Sequence, residues 1–179
     1  MINGHNLSIF ILSPTLRARG VKTISVDPRF TPDAAKADIW LPIRPGTDVA
    51  LLLSWTRYIL ENKLFDADFV MKWTNLPYLV DTETKMLVRA EVSRDPNVPD
   101  TFMVWDKKTG AMQPMAYPFD ENLDPALEGE FVVDGKVYKT GYQLLWESVE
   151  EYTLEKAGEI CWLDPKKIEE AVRMFCENT

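Results

Sequence analysis

The apolar positions of this chain change period as it proceeds. Residues 21–26, Val-Lys-Thr-Ile-Ser-Val, alternate apolar and polar side chains and are β-branched, which predicts a strand with one buried face. Gly20 stops a helix after the basic turn Leu16-Arg17-Ala18-Arg19. Asp27-Pro28 ends the strand; Pro32, Asp33 and the small residues Ala34 to Ala37 predict a short helical or irregular turn, and Ile39-Trp40-Leu41 a second short strand. Pro42, Pro45 and Gly46 then break the backbone. A helix follows from Val49 to about Asn62, with Thr47 or Asp48 placed to cap it through a short side-chain oxygen. Its apolar residues fall on nearly every face, which predicts burial between two layers. Strands and helices that alternate in this way point to a parallel sheet with helices on its faces.

Asp66 to Trp73 reads as another helix with an acidic first turn. From Pro77 to Gly141 the helical period is lost, and short strand-like runs stand at Leu87-Val88, Phe102 to Trp105 and Glu130 to Val133. Asp106-Lys107-Lys108-Thr109-Gly110 and Val133-Asp134-Gly135-Lys136 have the chemistry of hairpin turns. After Gly141 the helical period returns, with Leu144, Leu145 and Val149 on one stripe. Thr153 caps a helix from Leu154 to Ile160, and Asp164-Pro165 opens a last one through Phe175, with Ile168, Val172 and Phe175 facing inward. The fold class expected is α/β: a Rossmann-like, mainly parallel sheet with flanking helices, plus a hairpin and loop insertion and C-terminal helices. The corresponding parts are residues 1–76, 77–141 and 142–179.

Composition removes several functions. Of 179 residues, 20 are Lys or Arg and 28 are Asp or Glu, a net charge of −8, which repels phosphate backbones and argues against nucleic acid as a partner. No apolar run is long enough to span a bilayer. The segment around Ile9 to Leu12 lacks the basic residues that begin a signal peptide. Cys161 and Cys176 are not spaced as a metal knuckle and are expected to be buried free thiols. His5, the single His, supplies little for a His-based triad. Whatever chemistry the chain takes part in, a bound group is expected to provide it.

The ordered string Ile24-Ser25-Val26-Asp27-Pro28-Arg29-Phe30-Thr31, Ala34-Ala35-Lys36-Ala37-Asp38, Trp40-Leu41-Pro42-Ile43 and Arg44-Pro45-Gly46-Thr47-Asp48 resembles the pterin-binding core of molybdenum and tungsten oxidoreductases of the dimethyl sulfoxide reductase family. Gly4-His5-Asn6 resembles that family's Gly-x-Asn segment, and Val104-Trp105-Asp106 with Thr109-Gly110 its Trp-Asp-x-x-x-Gly hairpin. Tyr152-Thr153 to Ala171 resembles its Tyr-Thr-Pro-Glu helices, except that Leu154 stands where Pro is usual and Cys161-Trp162 where Thr-Gly is usual. The resemblance implies a cofactor, molybdopterin guanine dinucleotide with molybdenum or tungsten, held in a full-length catalytic subunit of several hundred residues. By that measure the chain is expected to be a fragment, the central pterin- and guanosine-binding portion. Neither turnover nor stable metal binding is expected from it alone. The partners implied are the remaining domains of its own catalytic subunit, together with an iron–sulfur electron-transfer subunit.

The residues themselves agree with a nucleotide site. A carboxylate at the carboxyl end of a parallel strand, as at Asp27, can accept hydrogen bonds from ribose hydroxyls. Pro28 fixes the turn, and Arg29 offers a guanidinium to a phosphate or a purine face. Gly46 permits close backbone approach, Thr47 offers a hydroxyl and an N–H, and Asp48 can accept from guanine N1–H and the exocyclic amine together. The cofactor-binding candidates are thus Gly4, Asn6, Asp27, Pro28, Arg29, Phe30, Thr31, Gly46, Thr47 and Asp48, with no catalytic or metal-ligating residue among them. Plainer roles compete. Asp27-Pro28 can be a simple strand-ending turn, Asp48 a helix cap, Asp38 and Arg44 a surface ion pair, and Glu147 to Glu151 a solvated face. The dispersed Trp residues read as core or hairpin packing. A rival from another class is a non-catalytic α/β module that binds proteins or a different nucleotide.

Overall fold

The computed structural model describes residues 18–91, 100–115 and 120–177. These fall into two compact units, one of Met1–Leu64 with Val149–Thr179 and one of Phe65–Ser148.

In the first unit β1 (Ile24–Val26) and β2 (Ile39–Leu41) pair in parallel, with Ile24 opposite Ile39 and Val26 opposite Leu41. A parallel pair needs a crossover, and residues 27–38 make it through a single 3₁₀ turn at Ala34–Lys36. The chain then runs into α1 (Asp48–Glu61). Two helices later in the chain return to it, α4 (Leu154–Cys161) and α5 (Pro165–Cys176). Their shared core consists of Ile39, Leu41, Ile43, Ala50, Leu51, Ala157, Cys161, Leu163, Ile168 and Ala171. Both late helices are capped as the sequence predicts: the Thr153 hydroxyl accepts from the Lys156 N–H at 3.1 Å, and the Asp164 carboxylate from the Lys166 N–H at 3.0 Å. Tyr58 of α1 ties to α5, accepting from Arg173 Nε at 2.8 Å and donating to Glu169 at 3.2 Å.

Several expectations need correction. Among the described residues the parallel sheet has two strands, not the larger Rossmann-like sheet the alternation predicts. The other strand segments pair antiparallel, two of the pairs across tight turns that allow no other sense. The helix α1 is not sandwiched, because Val49 and Leu52 are 68% and 58% exposed on the face away from Ala50, Leu51 and Ser54. Phe175 does not face inward either; it is 55% exposed and leans on Trp55 with ring centroids 5.6 Å apart. It lies in the last turn of α5, beyond Ala171 and Val172, where the core ends. Neither cysteine is in a disulfide, and only Cys161 is buried; Cys176 is half-buried.

The second unit holds α2 (Ala67–Trp73), capped by the Asp66 carboxylate on the Phe69 N–H at 2.9 Å, and α3 (Gly141–Val149). Between them lie two antiparallel sheets. One orders β3 (Leu79–Asp81), β8 (Lys136–Thr140) and β7 (Glu130–Val133); the other orders β4 (Arg89–Glu91), β5 (Thr101–Asp106) and β6 (Ala111–Met115). Asp134 and Gly135, at φ of 51° and 79°, turn β7 into β8, as a two-residue hairpin loop with positive φ at both positions requires. Pro114 removes one donor from β6, which is tolerable because β6 is an edge strand.

Asp106 organises the other hairpin. Its side chain is 1% exposed and accepts from the backbone N–H groups of Asp124 at 2.8 Å, Thr109 at 3.0 Å and Lys108 at 3.4 Å. The Asp124 N–H, and then the bonds from Thr109 and Lys108, hold its carboxyl below the usual carboxylate range against the opposing effect of desolvation. A group with a lowered folded-state pKa stabilises the fold above its unfolded-state pKa, and that contribution is lost as the pH falls through the folded value. Asp106→Asn is therefore expected to lower the melting temperature at pH 7 by several degrees. The difference from wild type should shrink as the pH drops below about 4, as thermal unfolding followed across pH will show.

Candidate functional site

Because β1 and β2 are parallel, the segments that follow them both leave at one edge of the sheet. The first is Asp27–Thr31. Its start is fixed by the Asp27 N–H, which donates to the Leu41 carbonyl at 3.2 Å, and by Trp40 Nε1, which donates to the Asp27 carbonyl at 2.9 Å. The Asp27 carboxylate folds back to accept from the Arg29 N–H at 2.8 Å, with Arg29 Nε 3.6 Å away. Arg29 itself projects into solvent, its side chain 82% exposed. Phe30 is largely exposed and meets Trp40 at a tilt, ring centroids 4.8 Å apart. Thr31 starts the 3₁₀ turn, its hydroxyl accepting from the Ala34 N–H at 3.2 Å.

Asp38, at the end of the crossover, stitches the opposite edge. It accepts from the Thr23 N–H at 2.8 Å, the Thr23 hydroxyl at 3.2 Å and Lys22 Nζ at 3.0 Å. The Thr23 backbone bond, followed by that from Lys22, holds its carboxyl below the usual range. The ion pair expected between Asp38 and Arg44 is thus not made.

The second segment is Arg44–Asp48. The Arg44 N–H donates to the Cys161 carbonyl at 2.9 Å, and the Cys161 thiol to the Thr47 carbonyl at 3.5 Å. Gly46 has φ of +81°, which only a residue without Cβ adopts freely, and nothing lies within 4 Å of where a Cβ would stand. Thr47 precedes α1 but does not cap it through its side chain. Its ψ of 12° is not the extended value an N-cap needs, and its hydroxyl instead donates back to the Arg44 carbonyl at 2.7 Å. Asp48 is the first residue of α1, exposed to solvent, and its carboxylate bonds to no described residue, so the capping role expected for it is not made either.

The structure therefore brings Asp27, Pro28, Arg29, Phe30 and Thr31 to the same sheet edge as the segment carrying Gly46, Thr47 and Asp48. Gly4 and Asn6 lie outside the described residues. Four contributors escaped the sequence reading of the site: Trp40, Arg44, Cys161 and Trp162. The Arg44 guanidinium lies over the Trp162 ring, 4.7 Å from its centroid. The departure of Cys161-Trp162 from the usual Thr-Gly pair was the available signal. Nor are all the Trp residues packing groups, since Trp73 and Trp162 are 59% and 71% exposed. Among the described residues, no three His, Cys, Asp or Glu side chains converge as metal ligands would.

Trp40→Phe should keep the ring against Phe30 while removing the donor to the Asp27 carbonyl. It is expected to cost about 1 kcal/mol in urea unfolding, the ordinary net worth of one such bond.

No family model matches the chain. Curated relatives do. A sulfite dehydrogenase subunit of Allochromatium vinosum is 40% identical over 152 residues, which are 80% of this chain and 15% of that protein. A putative dimethyl sulfoxide reductase catalytic subunit of Halobacterium salinarum is 35% identical over 156 residues, 87% of this chain and 18% of that one. Among solved structures, acetylene hydratase from Pelobacter acetylenicus superposes with a TM-score of 0.54 at 27% identity, over 94% of this chain and 14% of its own. The chain thus spans less than a fifth of the length of these proteins.

Proposed function

The chain belongs to the dimethyl sulfoxide reductase family of molybdopterin oxidoreductases, and from that premise we propose that its sheet edge binds the guanosine end of molybdopterin guanine dinucleotide within a catalytic subunit. The observation that carries this is the parallel pairing of β1 and β2, which sends the Asp27 and Gly46 segments out at one edge, where α/β sheets take their ligands.

The residues present suit such a group. Asp48 offers an exposed carboxylate with no partner among the described residues, so both oxygens are available to the N1–H and exocyclic amine of guanine. Adenine presents no such pair of donors. Open space at Gly46 lets a ligand approach the backbone closely. Asp27 keeps one oxygen, Oδ2, beyond the bond to Arg29, able to accept from a ribose hydroxyl. The exposed Arg29 guanidinium offers charge to the diphosphate, and the exposed part of Phe30 offers apolar cover.

When bound in a complete subunit, the cofactor supplies oxygen-atom or electron transfer at its metal. This chain holds the nucleotide end and fixes its identity. Its partners in this reading are the other domains of the same subunit, together with an iron–sulfur electron-transfer subunit.

GDP and ADP are the probes. Titrated into the 179-residue chain and followed by calorimetry, GDP is expected to bind and ADP to bind more weakly. Asp48→Asn turns one acceptor into a donor that faces a donor, and should weaken GDP by about 2 kcal/mol, roughly thirtyfold. Its melting temperature should hardly move, since Asp48 caps nothing. Equal binding of the two nucleotides, or full GDP affinity in Asp48→Asn, would overturn the reading.

A further inference from the structure

Trp162 stands in a conformation it should avoid. At the C-cap of α4 its φ is 59° and ψ 39°, the left-handed region that favours Gly. Burial does not offset the strain, because the residue is 71% exposed. The left-handed residue closes α4, with the Leu163 N–H on the Gly158 carbonyl at 3.0 Å, but that closure asks for no indole, so an exposed Trp at this cap points to work done elsewhere.

The ring has one close charged neighbour, the Arg44 guanidinium, 4.7 Å from its centroid. Arg44 begins the turn that ends at Asp48, and its carbonyl receives both the Thr47 N–H at 3.3 Å and the Thr47 hydroxyl at 2.7 Å. The residue before Trp162 grips the same turn: the Cys161 carbonyl takes the Arg44 N–H at 2.9 Å, and its thiol reaches the Thr47 carbonyl at 3.5 Å. The corner between α4 and α5 thus holds the turn at both ends, by backbone and thiol at Cys161 and by its ring at Trp162. We propose that Trp162 is a positioning residue that acts through Arg44 to hold the Gly46-Thr47-Asp48 turn in the shape that presents the Asp48 carboxylate. This rests on the guanosine reading above and adds a determinant of its specificity on a different helix corner.

The test compares wild type, Trp162→Gly and Trp162→Phe in the 179-residue chain. Three quantities are read: melting temperature, hydrogen exchange at the Thr47 amide, and affinity for GDP. Trp162→Gly relieves the backbone and removes the ring, so its melting temperature should not fall. Its Thr47 amide should exchange about threefold faster and its GDP affinity drop about threefold, the scale of one exposed cation–π contact. Trp162→Phe keeps a ring and should restore both to near wild-type values. Stability and binding then move apart, which a packing role cannot produce. Unchanged Thr47 exchange in Trp162→Gly overturns the proposal, as does weaker binding that merely follows a lower melting temperature. If exchange quickens as expected while wild type binds no GDP, the positioning of the turn stands and the guanosine reading falls.

Discussion

Everything at the candidate site depends on the parallel sense of two three-residue strands. Antiparallel strands would have sent the Asp27 and Gly46 segments to opposite edges, and no ligand could meet both. The pairing is too small to persist alone, since so short a ladder has few hydrogen bonds and little buried area. Three things hold it. Asp38 ties the start of β2 to the residues before β1. The Trp40 indole and the Asp27 N–H lock the other end. On one face of the pair, Ile39 and Leu41 of β2 enter the core that α1, α4 and α5 complete, and Ile24 of β1 packs against it.

Local signals were legible in the sequence to the residue. The bounds of β2 follow from Ile39-Trp40-Leu41 between a crossover and Pro42, and the starts of the two late helices from Thr153 and from Asp164-Pro165 before helical periods, whereas Asp66, read as part of an acidic first turn, is the cap that precedes its helix. Each is decided within four residues of chain. What was not legible depends on the partner a side chain meets. Thr47 has the chemistry of a cap, but its hydroxyl turns to the Arg44 carbonyl because the preceding turn sets its ψ. Asp38 was free in sequence to choose Arg44, and chose Lys22 and Thr23 because β-pairing puts them beside it. The apolar positions around α1 predict two covering layers; the described residues supply one, and Val49 and Leu52 face outward.

The same logic separates the two kinds of acidic residue here. Asp106 spends its oxygens on backbone N–H groups, and Asp38 on the Thr23 N–H and hydroxyl and on Lys22; both are part of the frame. Asp48 spends none, and Asp27 only part. A carboxylate with unused acceptors at the mouth of a parallel pair is what a ligand can address, whereas a satisfied one is already committed to the fold.

The first unit is discontinuous in sequence, with the whole of Phe65–Ser148 lying between its two parts. Its core cannot close until Ala157 to Ala171 has been synthesised, so a growing chain carries β1, β2 and α1 with their apolar faces uncovered while the intervening residues emerge. Closing so long a loop as flexible chain costs roughly 4 kcal/mol of entropy. Within the intervening stretch the β5–β6 and β7–β8 hairpins are built from near neighbours in sequence and can form first, which shortens the effective loop. The second unit, once folded, leaves less flexible chain for the closure of the first to span.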